Sequence, residues 1–142
     1  MRITDVLRRK GSEVATIHPD RSVRELVSQL AEHRVGALVV SAGQGSVDGI
    51  VSERDVVRRL HTEGAAVLDR PISAIMTAEV QTCVPNDTVE ALMVLMTENR
   101  FRHVPVVERG RLLGIVSIGD VVKHRIDELQ DERDHLTHYL SG

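Results

Sequence analysis

With 142 residues, 42% apolar and 27% charged, the chain has the balance of a folded globular protein and fits about one domain by the usual ~100–200 residues. A formal charge of −3, one Phe, one Tyr and no Trp exclude polyanion binding driven by global charge or aromatic stacking, so nucleic acid is not an expected partner. No run approaches the roughly 18–20 apolar residues of a membrane span and no signal peptide opens the chain, so no membrane contact and a cytoplasmic location are expected; the lone Cys83 excludes an intrachain disulfide and a cysteine metal cluster.

Ile3, Val6 and Leu7 predict a short helical turn, and Val14 to Ile17 a short strand stopped by Pro19. Val23, Leu26, Val27 and Leu30 fall at i, i+3, i+4 and i+7, an amphipathic helix with Ser22 and Glu25 as its capping box. Strands follow at Ala37 to Val40 and Gly49 to Ser52, joined through Gly43-Gln44-Gly45-Ser46, and a second helix starts at Ser52. Thr62 to Pro71, with breakers Gly64-Ala65-Ala66 and Asp69-Arg70-Pro71, reads as a linker.

The same order then returns. Ile72, Ile75 and Met76 repeat the opening turn, Val80 to Val84 a short strand before Pro85, and Val89, Leu92, Met93 and Met96 the helix. Strands are expected at His103 to Val107 and Leu112 to Ser117 around Arg109-Gly110. Pro105 lacks a ladder donor, which predicts an edge or a local irregularity. A helix begins at Ser117, and from Arg125 a charged helix carries Ile126, Leu129, Leu136, Tyr139 and Leu140 to the end.

Aligned, the copies differ in position by 66 residues from Val14/Val80 to Val40/Val106 and by 65 from Gly49/Gly114 to Val57/Val122. A one-residue deletion therefore lies between Val106 and Gly114. The opening turns are 69 apart, so the first copy carries three more residues, within Arg8 to Glu13. A unit of about 60 residues is marginal alone, so the two are expected to share one module. The fold class is α/β (α+β): two pseudo-twofold-related β-α-β-β-α units, residues 1–65 and 66–125, followed by a C-terminal amphipathic helix, 126–142.

Gly49-Ile50-Val51-Ser52 with Asp55, its copy Gly114-Ile115-Val116-Ser117 with Asp120, and Arg100-Phe101-Arg102-His103-Val104-Pro105-Val106-Val107 carry a family resemblance. Over residues 1 to about 125 the chain resembles a tandem cystathionine-β-synthase (CBS) domain pair of the stand-alone kind. The resemblance implies a disc-like module that binds adenosine derivatives (AMP, ADP, ATP, NAD(H) or S-adenosylmethionine) and regulates a partner protein without catalysing a reaction.

The residues fit that role physically. A helix beginning at Ser52 presents backbone N–H groups and a positive end to phosphate, and Asp55 can accept from ribose hydroxyls. Ser117 and Asp120 repeat the arrangement, and Gly119 in a first helical turn suits close approach of a ligand. Adenine would sit between aliphatic walls, with Thr16, Ile17, Val35, Gly36, Ala37 and Leu38 as candidates in copy one and Thr82, Cys83, Arg102, His103 and Val104 in copy two. Arg54, Arg102 and His103 suit a phosphate, and Lys10 in the insertion would close over one. Against this stands a ligand-free explanation: Ser-x-x-Asp is also a helix cap, worth about 0.5–2 kcal/mol.

No catalytic residue and no metal ligand set is expected; His124, His135 and His138 lack companion ligands. The leading expectation is a nucleotide sensor, with a nucleotide-processing enzyme using the inter-repeat cleft, or a ligand-free scaffold, as alternatives. The apolar stripe of the C-terminal helix predicts a homodimer, unless the tail folds back on its own module.

Overall fold

The computed structural model describes residues 1–11 and 14–141, so Ser12 and Glu13 of the insertion lie outside the described residues. The chain runs α1 (Ile3–Lys10), β1 (Thr16–Ile17), α2 (Val23–His33), β2 (Ala37–Val40), β3 (Gly49–Ser52), α3 (Glu53–Glu63), α4 (Val89–Asn99), β4 (His103–Glu108), β5 (Arg111–Ser117) and α5 (Ile118–Ser141). Two short 3₁₀ helices, Gly64–Asp69 and Ile72–Ala74, join α3 to α4. This is the expected α/β architecture, with the last helix of the second half and the C-terminal tail fused into one 24-residue α5.

In one sheet β1 lies parallel to β2, and β2 antiparallel to β3; in the other β4 pairs antiparallel with β5. Val40 lies opposite Gly49, and Val106 opposite Gly114, so the one-residue deletion falls in the hairpin loop and leaves the register unchanged. The strand expected over Val80 to Val84 shrinks to a single bridge between Cys83 and Val106. Cys83 N–H donates to the Pro105 carbonyl (3.0 Å) and Val107 N–H to the Cys83 carbonyl (2.8 Å). The first half continues one pair further, Thr16 beside Val39. Pro105 takes the place of Val39 and has no N–H with which to continue the ladder. The irregularity expected in β4 is a register shift between Val106 and Val107.

Ser22 caps α2, accepting from the Glu25 N–H at 3.1 Å, but the Glu25 carboxylate turns to Arg21 at 3.3 Å, so the expected reciprocal box is only half made. The segment read as a linker is packed: Val67, in the Gly64–Asp69 turn, is fully buried.

Two cores form, and each is closed by a segment distant in sequence. Ile17, Val23, Leu26, Leu38, Val40, Val51 and Val56 pack with Val67, Ile72 and Ile75. Val89, Leu92, Met96, Val104, Val106, Val116 and Val121 pack with Ile3 and Val6 of α1. Backbone hydrogen bonds repeat this exchange. Ile3 N–H donates to Asp87 and Thr4 to Pro85, at 2.9 and 3.0 Å; Ile72 donates to Arg21 and Ser73 to Pro19, at 2.8 and 3.0 Å. The same crossing explains the glycine that opens each repeated block. A Cβ at Gly49 would stand 2.7 Å from Met76 Sδ and 2.8 Å from the Thr77 carbonyl oxygen, and one at Gly114 2.6 Å from Leu7 Cδ2.

Beyond Glu128 every described residue of α5 is exposed, including Leu136, Tyr139 and Leu140. The tail therefore does not fold back on its own module.

Gly49→Ala is expected to destabilise by about 1–3 kcal/mol, because the added methyl meets a backbone carbonyl. Gly114→Ala should cost less, since only the flexible end of Leu7 must move; paired urea melts measure the difference, and equal costs would contradict this packing.

Candidate functional site

Each half turns from strand to helix at Ser-x-x-Asp. Ser52 accepts from the Asp55 N–H at 3.3 Å, while Asp55 Oδ2 accepts from the Ser52 N–H (2.8 Å) and Oγ (3.0 Å). In the second half the Asp120 N–H donates to Ser117 Oγ at 3.1 Å and the Ser117 N–H to Asp120 Oδ2 at 2.9 Å. Glu53 N–H reaches the Gly36 carbonyl and Ile118 N–H that of Arg102, at 2.9 and 2.8 Å. The capping box weighed against a ligand contact is thus fully formed in both copies, and two of the helix-start N–H groups expected for phosphate are already satisfied. Among the described residues, Oδ1 of Asp55 and of Asp120 takes no hydrogen bond, which leaves one acceptor oxygen on each carboxylate.

A cleft of about 770 Å³ runs between the halves. Ser52, Glu53, Arg54, Asp55, Val57 and Arg58 of the first half and Arg100, Phe101, Arg102 and His103 of the second line it, together with Gly36, Ala37, Ile50 and Thr77. Among the described residues, none of Arg54, Arg58, Arg100 and Arg102 forms an ion pair. Four arginines against Glu53 and Asp55 make this cleft positive in a chain that is negative overall. Burial, helped by the charge of Lys10, holds His103 below the ordinary imidazole range and so favours the neutral ring.

A second, smaller cleft of about 250 Å³ lies between α1 and α5, lined by Val6, Arg9, Lys10, Asp120, Lys123, His124 and Asp127. Burial pushes the Asp120 pKa up, but hydrogen bonds from Lys10 and Ser117 and the charge of Lys10 outweigh it and hold the carboxyl below the ordinary range.

Of the residues singled out from sequence, Gly36, Ala37, Ser52, Arg54, Asp55, Arg102 and His103 line the first cleft. Lys10 and Asp120 line the second, with Ser117 bonded to Asp120. The side chains of Ile17, Leu38, Cys83 and Val104 are buried in the cores and form no wall of either cleft. Burial also pushes the Cys83 thiol up to about 12, which makes it unreactive. Thr16, Thr82 and Val35 are exposed and outside both clefts. A Cβ at Gly119 would meet only Ser117 Oγ, at 3.6 Å, so its own fold does not require glycine there.

Sequence reasoning missed Arg58 and Arg100 as cleft residues. The repeat held a signal for the second. Arg34 and Arg100 occupy matched helix ends, and both adopt left-handed backbone, φ 55° and 59°, where glycine is the unstrained choice. Keeping a long cation at a strained position is a pointer to use of the side chain.

A protein-family model, the CBS domain, matches residues 3–62 and again 72–127. The chain belongs to the CBS-domain proteins. It is 36% identical over 148 aligned positions to the mitochondrial CBS domain-containing protein CBSX3 of Arabidopsis thaliana, an alignment that spans 99% of this chain and 72% of that one. Its structure is similar to the crystal structure of the CBS-domain protein ATU1752 from Agrobacterium tumefaciens, with a TM-score of 0.85, 49% identity and coverage of 88% and 99% of the two chains. It is also similar to the CBS domain pair of protein MJ0100, crystallised in complex with 5′-methylthioadenosine and S-adenosyl-L-methionine (TM-score 0.78, 25% identity, 87% and 98% covered). No helix among the described residues is long and apolar enough to cross a membrane.

Because His103 is held below its ordinary value of 6.5 in the fold, the unfolded chain takes up that proton first. Stability should therefore fall as the pH drops from about 7 through the ordinary imidazole range near 6.5. His103→Gln should flatten that slope, as read by thermal melts across the interval, and an unchanged slope would show that His103 does not titrate as described.

Proposed function

We propose that the protein is a regulatory module that binds an adenine nucleotide (AMP, ADP, ATP or NAD(H)) in the cleft between its repeats and passes the occupancy to a partner protein. The observation that carries the reading is the first cleft itself. It joins a carboxylate with a spare oxygen, Asp55, to four arginines that form no ion pair among the described residues, within a volume that accommodates a nucleotide. Ribose hydroxyls would donate to Asp55 Oδ1, and phosphate oxygens would accept from Arg100, Arg102 and Arg54. The adenosine ligands of the MJ0100 pair support the ligand class. A binding role is favoured over turnover of the nucleotide because the arginines and Asp55 that face the cleft suit anions and hydroxyls. Binding regulates only if the ligand prefers one of two module shapes, and a cleft with walls from both repeats allows that preference.

Calorimetry against adenosine, AMP, ADP, ATP, NAD, NADH and S-adenosylmethionine tests the reading. Asp55→Asn keeps an oxygen for the cap but removes the charge, and should weaken every adenosine ligand by about 10- to 150-fold, the equivalent of roughly 1.5–3 kcal/mol. Arg100→Ala and Arg102→Ala should weaken AMP and ATP while leaving adenosine unaffected. Wild-type affinity in the Asp55 variant, or equal losses for adenosine and AMP in the arginine variants, would overturn the assignment.

The module is proposed to act as a homodimer. Val57 and Leu60 on α3 and Ile118, Val122, Ile126 and Leu129 on α5 are exposed apolar side chains on helices that match each other in the repeat. A second copy related by a twofold axis is the simplest cover for such a self-similar surface. Light scattering is expected to give a dimer at micromolar concentration, and Val122→Glu with Ile126→Glu to give a folded monomer. A monomeric wild type would end this reading.

A further inference from the structure

The two halves repeat each other closely enough that what covers each Ser-x-x-Asp junction can be compared atom for atom. In the first half Ile50 exchanges two backbone hydrogen bonds with Thr77, N–H to carbonyl at 3.0 Å and back at 2.9 Å. Nothing from that crossing strand reaches Asp55, whose Oδ2 serves only Ser52. In the second half the partner of Ile50 is Ile115, and its carbonyl accepts not a backbone N–H but Lys10 Nζ, at 2.8 Å. The same ammonium donates to Asp120 Oδ2 at 2.7 Å. About two turns further along α5, Asp127 pairs with the neighbouring Arg9, also at 2.7 Å.

Lys10 reaches Asp120 because α1 runs through Lys10, whereas the matching 3₁₀ turn stops at Ala74. Lys10 lies in the stretch, Arg8 to Glu13, where the first copy is three residues longer, and the shorter opening of the second copy carries no lysine. The lysine thus sits on the carboxylate that would take a ribose, at the mouth of a cleft of about 250 Å³ beside one of about 770 Å³.

We infer that the two sites are unequal by construction: the chain binds one nucleotide, in the first cleft, and the second is closed by its own Lys10. The inference rests on the reading of Asp55 and Asp120 as ribose acceptors. A ligand at the second junction meets the Lys10 ammonium, which already serves the Asp120 carboxylate and a strand carbonyl and leaves Oδ1 alone open to a ribose, and a neutral hydroxyl that displaced it would replace neither its charge nor its geometry. The longer opening of the first copy has this effect without touching either Ser-x-x-Asp block.

Equilibrium dialysis with radiolabelled AMP and ATP on the full chain tests this. Wild type should bind one equivalent per chain, lost in Asp55→Asn and unchanged in Asp120→Asn. Lys10→Met should bind two, with the second equivalent lost on adding Asp120→Asn, and Lys10→Arg should stay at one. A Lys10→Gln chain, with circular dichroism to verify the fold, serves if the methionine variant does not fold. Two wild-type sites within about threefold of each other in affinity, or a folded Lys10→Met or Lys10→Gln chain that still binds one, would overturn the closure while leaving nucleotide binding intact. Absence of binding in every variant would instead remove the nucleotide reading, and this inference with it.

Discussion

The structure depends on a crossing: each half completes its core with a segment that lies before the other half in sequence. Ile3 and Val6 close the core built by α4, β4, β5 and α5, and Ile72 with Ile75 close the one built by α2, β2, β3 and α3. Burying a side chain of this size is worth about 1.5–3 kcal/mol, so neither half is complete without its crossed segment. Half-domains of about 60 residues have little core to spare, and the crossing makes them one folding unit. It also sets the tight packing that demands Gly49 and Gly114.

Both clefts follow from that arrangement. Because the crossing places the halves side by side, the helix start of the first half faces the strand entry of the second, and Arg100 to His103 meet Ser52 to Arg58. The cation density there is a tertiary product, since the arginines come from segments some forty positions apart in sequence. The four arginines are exposed, so solvent compensates their mutual repulsion until an anion takes its place. On the other side the crossing carries α1 across β5, which brings Lys10 to Asp120.

The Ser-x-x-Asp junction shows how one motif serves structure and recognition together. Its capping bonds are complete without a ligand, so the helix start is ordered before anything binds. Preorganisation of this kind lowers the ordering cost of binding. The carboxylate still keeps one oxygen unused by the cap, which is the part of the motif that a ligand can address.

Much of the architecture was legible in the chain because the relevant signals are local or periodic. Helical spacing, the glycine and proline breaks, and two offsets separated by a single deletion were enough for the two-copy order of helices and hairpins, though not for the loss of the first strand in the second copy. The repeated block singled out Ser52, Asp55, Ser117 and Asp120, and the basic pair Arg102-His103, all of which meet at or beside a cleft. Ile17, Leu38, Cys83 and Val104 lie near the motifs in sequence, but their side chains are drawn into the two cores. Pro105 shortened a strand through a missing donor on its neighbour's side, which depends on which strand that neighbour is. The crossing of α1, the entry of Arg58 and Arg100 into the cleft, and the contact of Lys10 with Asp120 are decided only by tertiary structure, because each joins groups whose separation in sequence carries no periodic trace.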